Sequence, residues 1–257
     1  MTLWKATVAY DGSGFHGFAV NADVRTVAGE IEEALATVTR SQVTISCAGR
    51  TDRGVHSRGQ VISFETPDDG PVSIEAGKLQ HSLNRLCGPE IAVRDLQSAP
   101  VGFDARFSAT WRRYRYRVST APIANPLLRD VAWHVPESLD IAAMNSAARA
   151  LHGEHDFASF CRRPDSMPDG VERSLVREVL EAEWTRHVGD DDSLLTFEVR
   201  ATSFCHQMVR SLVGTCVDVG LGRFDAGSIP SMLDAKDRRA AGRVAPPHGL
   251  VLWDVGY

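Results

Sequence analysis

The sequence contains no apolar run long enough to cross a bilayer, which takes roughly 20 consecutive residues. Its opening, MTLWKATVAY, lacks the basic start, apolar stretch and small-residue cleavage site of a secretory leader and reads as a strand. A cytoplasmic protein without a membrane partner is expected. Cysteines are scarce. Cys47, Cys87, Cys161, Cys205 and Cys216 are odd in number and widely spaced, and no two form a CxxC pair. This argues against a zinc site and a disulfide framework, and leaves small apolar fillers in a reducing compartment as the expectation. No GxGxxG or GxxxxGKS/T pattern occurs, so no nucleotide cofactor is expected. Low-complexity tracts and short repeats are also missing. So is an excess of basic charge: the formal net charge is −5, which excludes an indiscriminate nucleic-acid binder. If RNA is the partner, positive charge must be concentrated locally. Arg106, Arg112, Arg113, Arg115 and Arg117 form one concentration, and Arg50, Arg53 and Arg58, opposed only by Asp52, form another. Acids gather elsewhere, as at Asp190, Asp191 and Asp192.

What is present is an ordinary globular composition, 43% hydrophobic and 24% charged, over 257 residues. That suffices for one large α/β unit or two smaller domains sharing a core. Residues 3–10 alternate as a strand and stop at a DGSG turn. Residues 27–38 place Val27, Ile31, Leu35 and Val38 at helical spacing behind Thr26, a candidate cap. Strands follow at 42–47 and 60–65, then a helix at 74–86 and a strand at 90–96. The order β-α-β-β-α-β describes a half-domain with helices over one face of a largely antiparallel sheet. The remainder resembles it: a strand at YRYRVS, a helix at 139–151, strands near 174–186 and 194–202, helices at 206–219 and near 226–235, and a closing strand GLVLWDV. The insert RRPDSMPDG reads as a surface loop. The expected architecture is two similar α/β subdomains, residues 1–100 and 101–257. Their largely antiparallel sheets join along a central sheet, with an active-site cleft between.

Three constellations carry chemistry. In AGRTDRGVH (48–56), glycines flank Asp52 in a loop between strands, where backbone can approach a ligand closely. The plain alternative is a tight turn in which Asp52 bonds its own backbone. In FDARFSATWRRYRY (103–116), strand alternation puts Tyr114, Tyr116 and Val118 on one face and Arg113, Arg115 and Arg117 on the other. That suits a base on one side and phosphates on the other, or simply two core tyrosines with a solvated charged face. In TSFCHQMVR (202–210), His206 and Arg210 lie four apart near a helix N-terminus. A cation there opposes the helix dipole and points to a carboxylate or phosphate partner, the bland reading being a surface arginine. His152 and His155 in LHGEHDF lack a third ligand at a familiar spacing, so no metal is expected.

These segments together resemble the tRNA pseudouridine synthase A family. AGRTDRGVHSRGQVISFE is similar to its central motif, and YDGSGF, FDARFSATWRRYRY, NPLL, LDIAAMNSAARALHGEHDFASF, FCHQMVRSLVG and GLVLWDVGY have counterparts in the same order. The resemblance implies that Asp52 is the catalytic aspartate and that Tyr114 stacks on the target base. It implies that Arg50 fills the gap left by a flipped nucleotide, that Arg106 contacts tRNA, and that Arg210 is the basic partner of Asp52. Phe103 and His206 fall in the same motifs as candidate substrate contacts. It further implies a two-subdomain α/β fold, a homodimer, tRNA as partner, and uridines thirty-eight to forty of the anticodon arm as targets. The sequence departs from the family pattern at Arg53, where a small alanine is usual, at Asp104, where histidine is common, and at Phe18-Ala19, which replace an early WQ.

Pseudouridine formation breaks the C1′–N1 bond, turns the uracil and joins C1′ to C5. It needs neither redox chemistry nor a group donor, in keeping with the missing cofactor motifs. Attack by Asp52 at C1′, attack at C6 and removal of a sugar proton remain equally open at this point. Other readings are a pseudouridine synthase for other tRNA positions or another RNA, a non-catalytic RNA-binding protein or chaperone, and a metal hydrolase built on Asp52, His56, His152 and His155.

Overall fold

The computed structural model describes residues 1–67, 75–163, 174–187 and 193–257. Residues 164–170 of the RRPDSMPDG insert, and Asp190, Asp191 and Asp192, lie outside these. In chain order the elements are β1 (Thr2–Tyr10), α1 (Val27–Thr39), β2 (Ser46–Cys47), β3 (His56–Thr66), α2 (Ala76–Cys87), β4 (Ile91–Ser98), β5 (Trp111–Ser119), β6 (Trp133–His134), α3 (Ile141–Arg149), β7 (Gly153–Asp156), β8 (Val176–Arg186), β9 (Leu194–Ala201), α4 (Met208–Gly220), α5 (Ile229–Ala235) and β10 (Leu250–Gly256). The expected α/β class with mostly antiparallel pairing is present. No described helix is long and apolar enough to cross a membrane.

The chain forms two compact units, Met1–Arg112 with Val251–Tyr257, and Arg113–Leu250. The sequence reading divided it at 100/101. The closing strand belongs with the first unit because β10 runs parallel to β3, with Leu252 opposite Ser57, and the Tyr257 hydroxyl donates to the Ala105 carbonyl at 2.8 Å.

In the first unit the strand order is β4-β1-β3-β10, with β2 on β3. Alternation turns Trp4, Ala6, Val8 and Tyr10 of β1 inward, against Ile31 and Leu35 of α1 and Leu79 and Leu83 of α2. Burying each such leucine or isoleucine contributes roughly 1.5–3 kcal/mol relative to exposure. Thr26 caps α1 as expected, accepting from the Gly29 amide at 3.2 Å. The loop expected to run to Gly59 ends at Val55 instead, and His56 and Ser57 are buried in β3. Polar composition suggested loop, but a backbone approach decides otherwise: a Cβ on Gly59 would lie 2.5 Å from the Trp253 carbonyl oxygen. Only glycine lets β10 lie so close.

In the second unit the order is β5-β9-β8-β7, with β6 on β5. β6 and β7 were not expected, being too short to show a period. The helix α4 is buried on nearly every side, as its apolar residues all round require. α3 crosses it closely: a Cβ on Gly220 would meet the Met144 sulfur at 2.7 Å. Asn145 of α3 satisfies backbone groups of β8, donating to the Trp184 carbonyl and accepting its amide, both at 2.8 Å.

The cysteine expectation needs one correction. Cys161 and Cys205 form a disulfide, their Cα atoms 5.8 Å apart, within the range a disulfide spans. They stand 44 positions apart in sequence, so no local motif announces the pair. Backbone pairing sets it up, the Arg162 amide donating to the His206 carbonyl at 2.9 Å. The other three are thiols. Burial pushes Cys47 and Cys87 up to about 11 and Cys216 up to about 12, so they remain protonated fillers at neutral pH.

Asn145→Ala leaves the Trp184 amide and carbonyl without these partners, which costs about 1–3 kcal/mol. In urea unfolding the midpoint should fall with an unchanged slope; an unaltered midpoint would mean that water replaces the side chain fully.

Candidate active site

Asp52 is half-buried, on the loop between β2 and β3. Its carbonyl accepts the Val55 amide at 3.1 Å, closing a turn in which Gly54 adopts φ 76°, a conformation free of steric penalty only for glycine. Thr51, just before it, is held twice. Its hydroxyl is 2.7 Å from the Tyr10 hydroxyl, and its carbonyl accepts the Phe18 amide at 3.0 Å. The chain after β1 presses against the same loop. A Cβ on Gly12 would lie 2.0 Å from the Val55 carbonyl oxygen, and the Gly12 amide donates to His56 Nδ1 at 3.0 Å. Phe18, where the family pattern has the tryptophan of WQ, is buried with its ring 6.0 Å from Tyr10.

The head of the loop is clamped by Arg112. Its Nε and Nη2 donate to the Ala48 carbonyl at 3.0 and 2.9 Å. Nη2 also reaches the Arg106 carbonyl at 2.7 Å, and Nη1 the Ala109 carbonyl at 3.1 Å. The side chain is buried. Arg112 thus leaves the concentration of basic residues expected to be available to RNA and acts as an internal brace. Three carbonyls from two segments satisfy its fixed fork of donors, which a lysine could not do.

Phe103 packs on Tyr257, ring centroids 5.0 Å apart, with the Lys5 ammonium 4.9 Å from its own ring. It is therefore part of the packing of its unit. Asp104 shapes the next turn: its Oδ1 accepts the Arg106 and Phe107 amides at 2.7 and 2.8 Å. Arg106 is exposed, over the exposed Phe107 ring at 5.3 Å. Arg50 and Arg53 are exposed too. Arg50 and Arg106 both stand close enough to Cys47 to favour its thiolate, although burial dominates.

The second unit carries the other candidates. Tyr114 and Tyr116 share the buried face of β5, as expected. The Tyr114 ring meets Phe204 edge-on, 5.1 Å between centroids. Tyr116 donates to the Pro246 carbonyl at 2.8 Å. Its phenol is raised by burial, and Arg210 acts in the opposite direction, which places Arg210 in the same neighbourhood. Arg210 Nε donates to the Ala245 carbonyl at 2.8 Å. Across β5, Arg113 and Arg115 both pair with Glu198, so a carboxylate offsets part of the face expected to meet phosphates. His206 departs from expectation: α4 begins at Met208 because Gln207 takes a left-handed conformation, φ 62°. His206 therefore precedes the helix and does not share a helical face with Arg210.

Among the described residues no three His, Cys, Asp or Glu side chains group as metal ligands. His155 Nε2 is hydrogen-bonded to the His152 carbonyl at 3.0 Å, and its ring packs edge-on against Phe157, 5.9 Å between centroids. Sequence reasoning gave no role to Tyr10, Phe204 or Glu198; each acts through a partner distant in sequence.

A family model described as tRNA pseudouridine synthase matches residues 6–108 and 147–257. Asp52, Phe103, Arg106, His206 and Arg210 fall inside these stretches; Tyr114 falls between them. The tRNA pseudouridine synthase A of Bacillus subtilis (strain 168) is 41% identical over 255 residues, covering 98% of each chain. The protein of that name from Streptomyces griseus subsp. griseus is 42% identical over 260 residues, covering 98% of this chain and 87% of its own. That from Leifsonia xyli subsp. xyli is 38% identical over 273 residues, covering 100% and 92%.

Gly12→Ala drives a methyl group into the Val55 carbonyl and shifts the loop that carries Asp52. Displacements near 1 Å can lower turnover about 100-fold. Turnover on unmodified tRNA should therefore fall at least tenfold while the thermal transition stays cooperative; wild-type turnover would show that the loop position does not matter.

Proposed function

Because the chain belongs to the tRNA pseudouridine synthase family, a family of isomerases, we propose that it converts uridine to pseudouridine at positions thirty-eight to forty of the tRNA anticodon arm, with Asp52 as nucleophile. The observation that carries the reading is the half-buried carboxylate on a braced loop, in a chain matched to these enzymes over nearly its whole length. A homodimer in the cytoplasm belongs to the same reading.

The reaction is an isomerisation. The C1′–N1 bond breaks, C1′ bonds to C5, the proton on C5 leaves to solvent and N1 gains one. The uracil must first leave the helical stack, at a cost of a few kcal/mol. Arg50, exposed on the Asp52 loop, offsets part of that by occupying the vacated space. Tyr114, its ring set by Phe204, holds the detached uracil so that recombination outruns escape. Arg210, whose Nε donates to the Ala245 carbonyl, is the basic partner of the catalytic aspartate in this reading. Arg106 contacts backbone phosphate from its exposed turn. Phe103 shapes that turn from within, and His206 adds a polar contact to the RNA.

Asp52→Asn should bind unmodified tRNA like wild type yet lose at least about three decades in tritium release from tRNA labelled at uridine C5, roughly 4 kcal/mol of barrier. Substantial residual release would refute the nucleophile. Tyr114→Phe keeps the ring and should stay within about tenfold of wild type, ~1.4 kcal/mol; a loss as severe as that of Asp52→Asn would give the hydroxyl a chemical role.

A further inference from the structure

The second unit contains an open cleft of about 650 Å³ whose walls include Arg162, Arg163, Lys236, Arg238 and Arg239, with Asp237 the acidic residue among the described lining. The chain as a whole carries a net charge of −5, so five cations around one cleft are a local reversal of sign. Like charges so gathered repel one another, and an anion between them relieves the repulsion.

The cleft is built rather than incidental. The Cys161–Cys205 disulfide ties one wall to the segment leading into α4, and the Arg162 amide to His206 carbonyl bond runs beside it. The opposite wall is a short 3-10 turn over Arg238–Ala240, begun by Asp237, whose Oδ1 accepts the Arg239 amide at 2.9 Å. The Asp237 amide is in turn anchored on Ser159 Oγ at 2.9 Å. Arg238 is aimed by the Ala241 and Gly242 carbonyls, which take its Nη1 and Nη2 at 3.3 and 2.9 Å. These contacts leave its charge uncancelled. Arg239 pairs with Asp237 at 2.7 Å, but both are well exposed, and exposed pairs hold weakly. Lys236 leans on Asp156 at 3.1 Å.

The lining also indicates which anion fits. Four of the five cations are arginines, whose planar forks match phosphate oxygens two at a time. Among the described residues no aromatic ring lines the cleft, so none of them can stack on a base as RNA-reading surfaces do. Gln207, at the start of α4, lies in the lining, three residues before Arg210. We propose that this cleft binds the phosphodiester backbone of the substrate tRNA, outside the target nucleotide, and fixes the register in which the RNA lies on the second unit. The inference rests on the tRNA reading above. Backbone contacts of this kind position a nucleic acid without reading its sequence.

The test is tRNA affinity as a function of salt, for the full chain and an unmodified tRNA transcript, with Arg162→Ala/Arg239→Ala compared with wild type. Both positions are exposed, so the fold should survive. Lys78→Ala/Arg85→Ala on α2 removes the same charge elsewhere. The cleft variant should bind roughly tenfold more weakly, and the slope of log K against log salt should shrink by about one to two, since each lost phosphate contact removes about 0.7–0.9. The α2 variant should bind within about twofold of wild type. Equal affinity for the two double variants, or a slope like that of wild type, would overturn the proposal. Inorganic phosphate at millimolar concentration and matched ionic strength separates the sources. If phosphate protects the wild-type fold against thermal unfolding more than it protects the cleft variant, while the cleft substitutions leave tRNA affinity unchanged, the site takes a small anion and the backbone assignment falls. Wild-type tritium release is followed in parallel. Its absence counts against pseudouridylation, whereas intact release with unaltered variant binding counts against the cleft alone.

Discussion

The position of the loop that carries Asp52 depends on a buried guanidinium. Arg112 donates to the carbonyls of Ala48, Arg106 and Ala109. Hydrogen bonds to a charged group contribute about 1.5–3 kcal/mol each, and leaving such a donor unmet indoors costs more. Rigidity follows from that asymmetry: the loop cannot drift without stranding a charge. The contact between the Tyr10 and Thr51 hydroxyls adds a second fixed point one residue from Asp52. The close approach of Gly12 removes the space into which the loop could relax.

Charge is distributed in a way that reconciles an acidic protein with an RNA substrate. Glu198 neutralises part of the arginine row of β5, and Arg112 is committed internally. Exposed basic charge includes Arg50, Arg53, Arg58 and Arg106 in the first unit, and the walls of the arginine cleft in the second. A net acidic surface disfavours indiscriminate binding and favours attraction where basic side chains gather.

Much of the fold was legible because it is local. α1 and α3 were readable from their 3.6-residue period and polar starts, with Thr26 and Asp140 capping as such residues do. The alternation that put Tyr114 and Tyr116 inward also put Arg112 on their face, so the signal for its burial was present; the density of arginines around it obscured the count. Other features were beyond local reading. His56 and Ser57 are strand because β10, from the far end of the chain, lies against Gly59. The disulfide joins residues with nothing in common but their fold. The start of α4 hinges on a left-handed Gln207, which no composition rule favours. Within the candidate site the chemically distinctive residues were named from their motifs, whereas the residues that hold them, Tyr10, Arg112 and Phe204, emerged only from packing.

The most direct measurement is nucleotide-resolution pseudouridine mapping of unmodified tRNA incubated with purified protein, wild type beside Asp52→Asn. The expected result is new pseudouridine at positions thirty-eight to forty with wild type and none with the variant. Pseudouridine confined to other positions would contradict the assigned target, and equal modification by both proteins would contradict the role of Asp52.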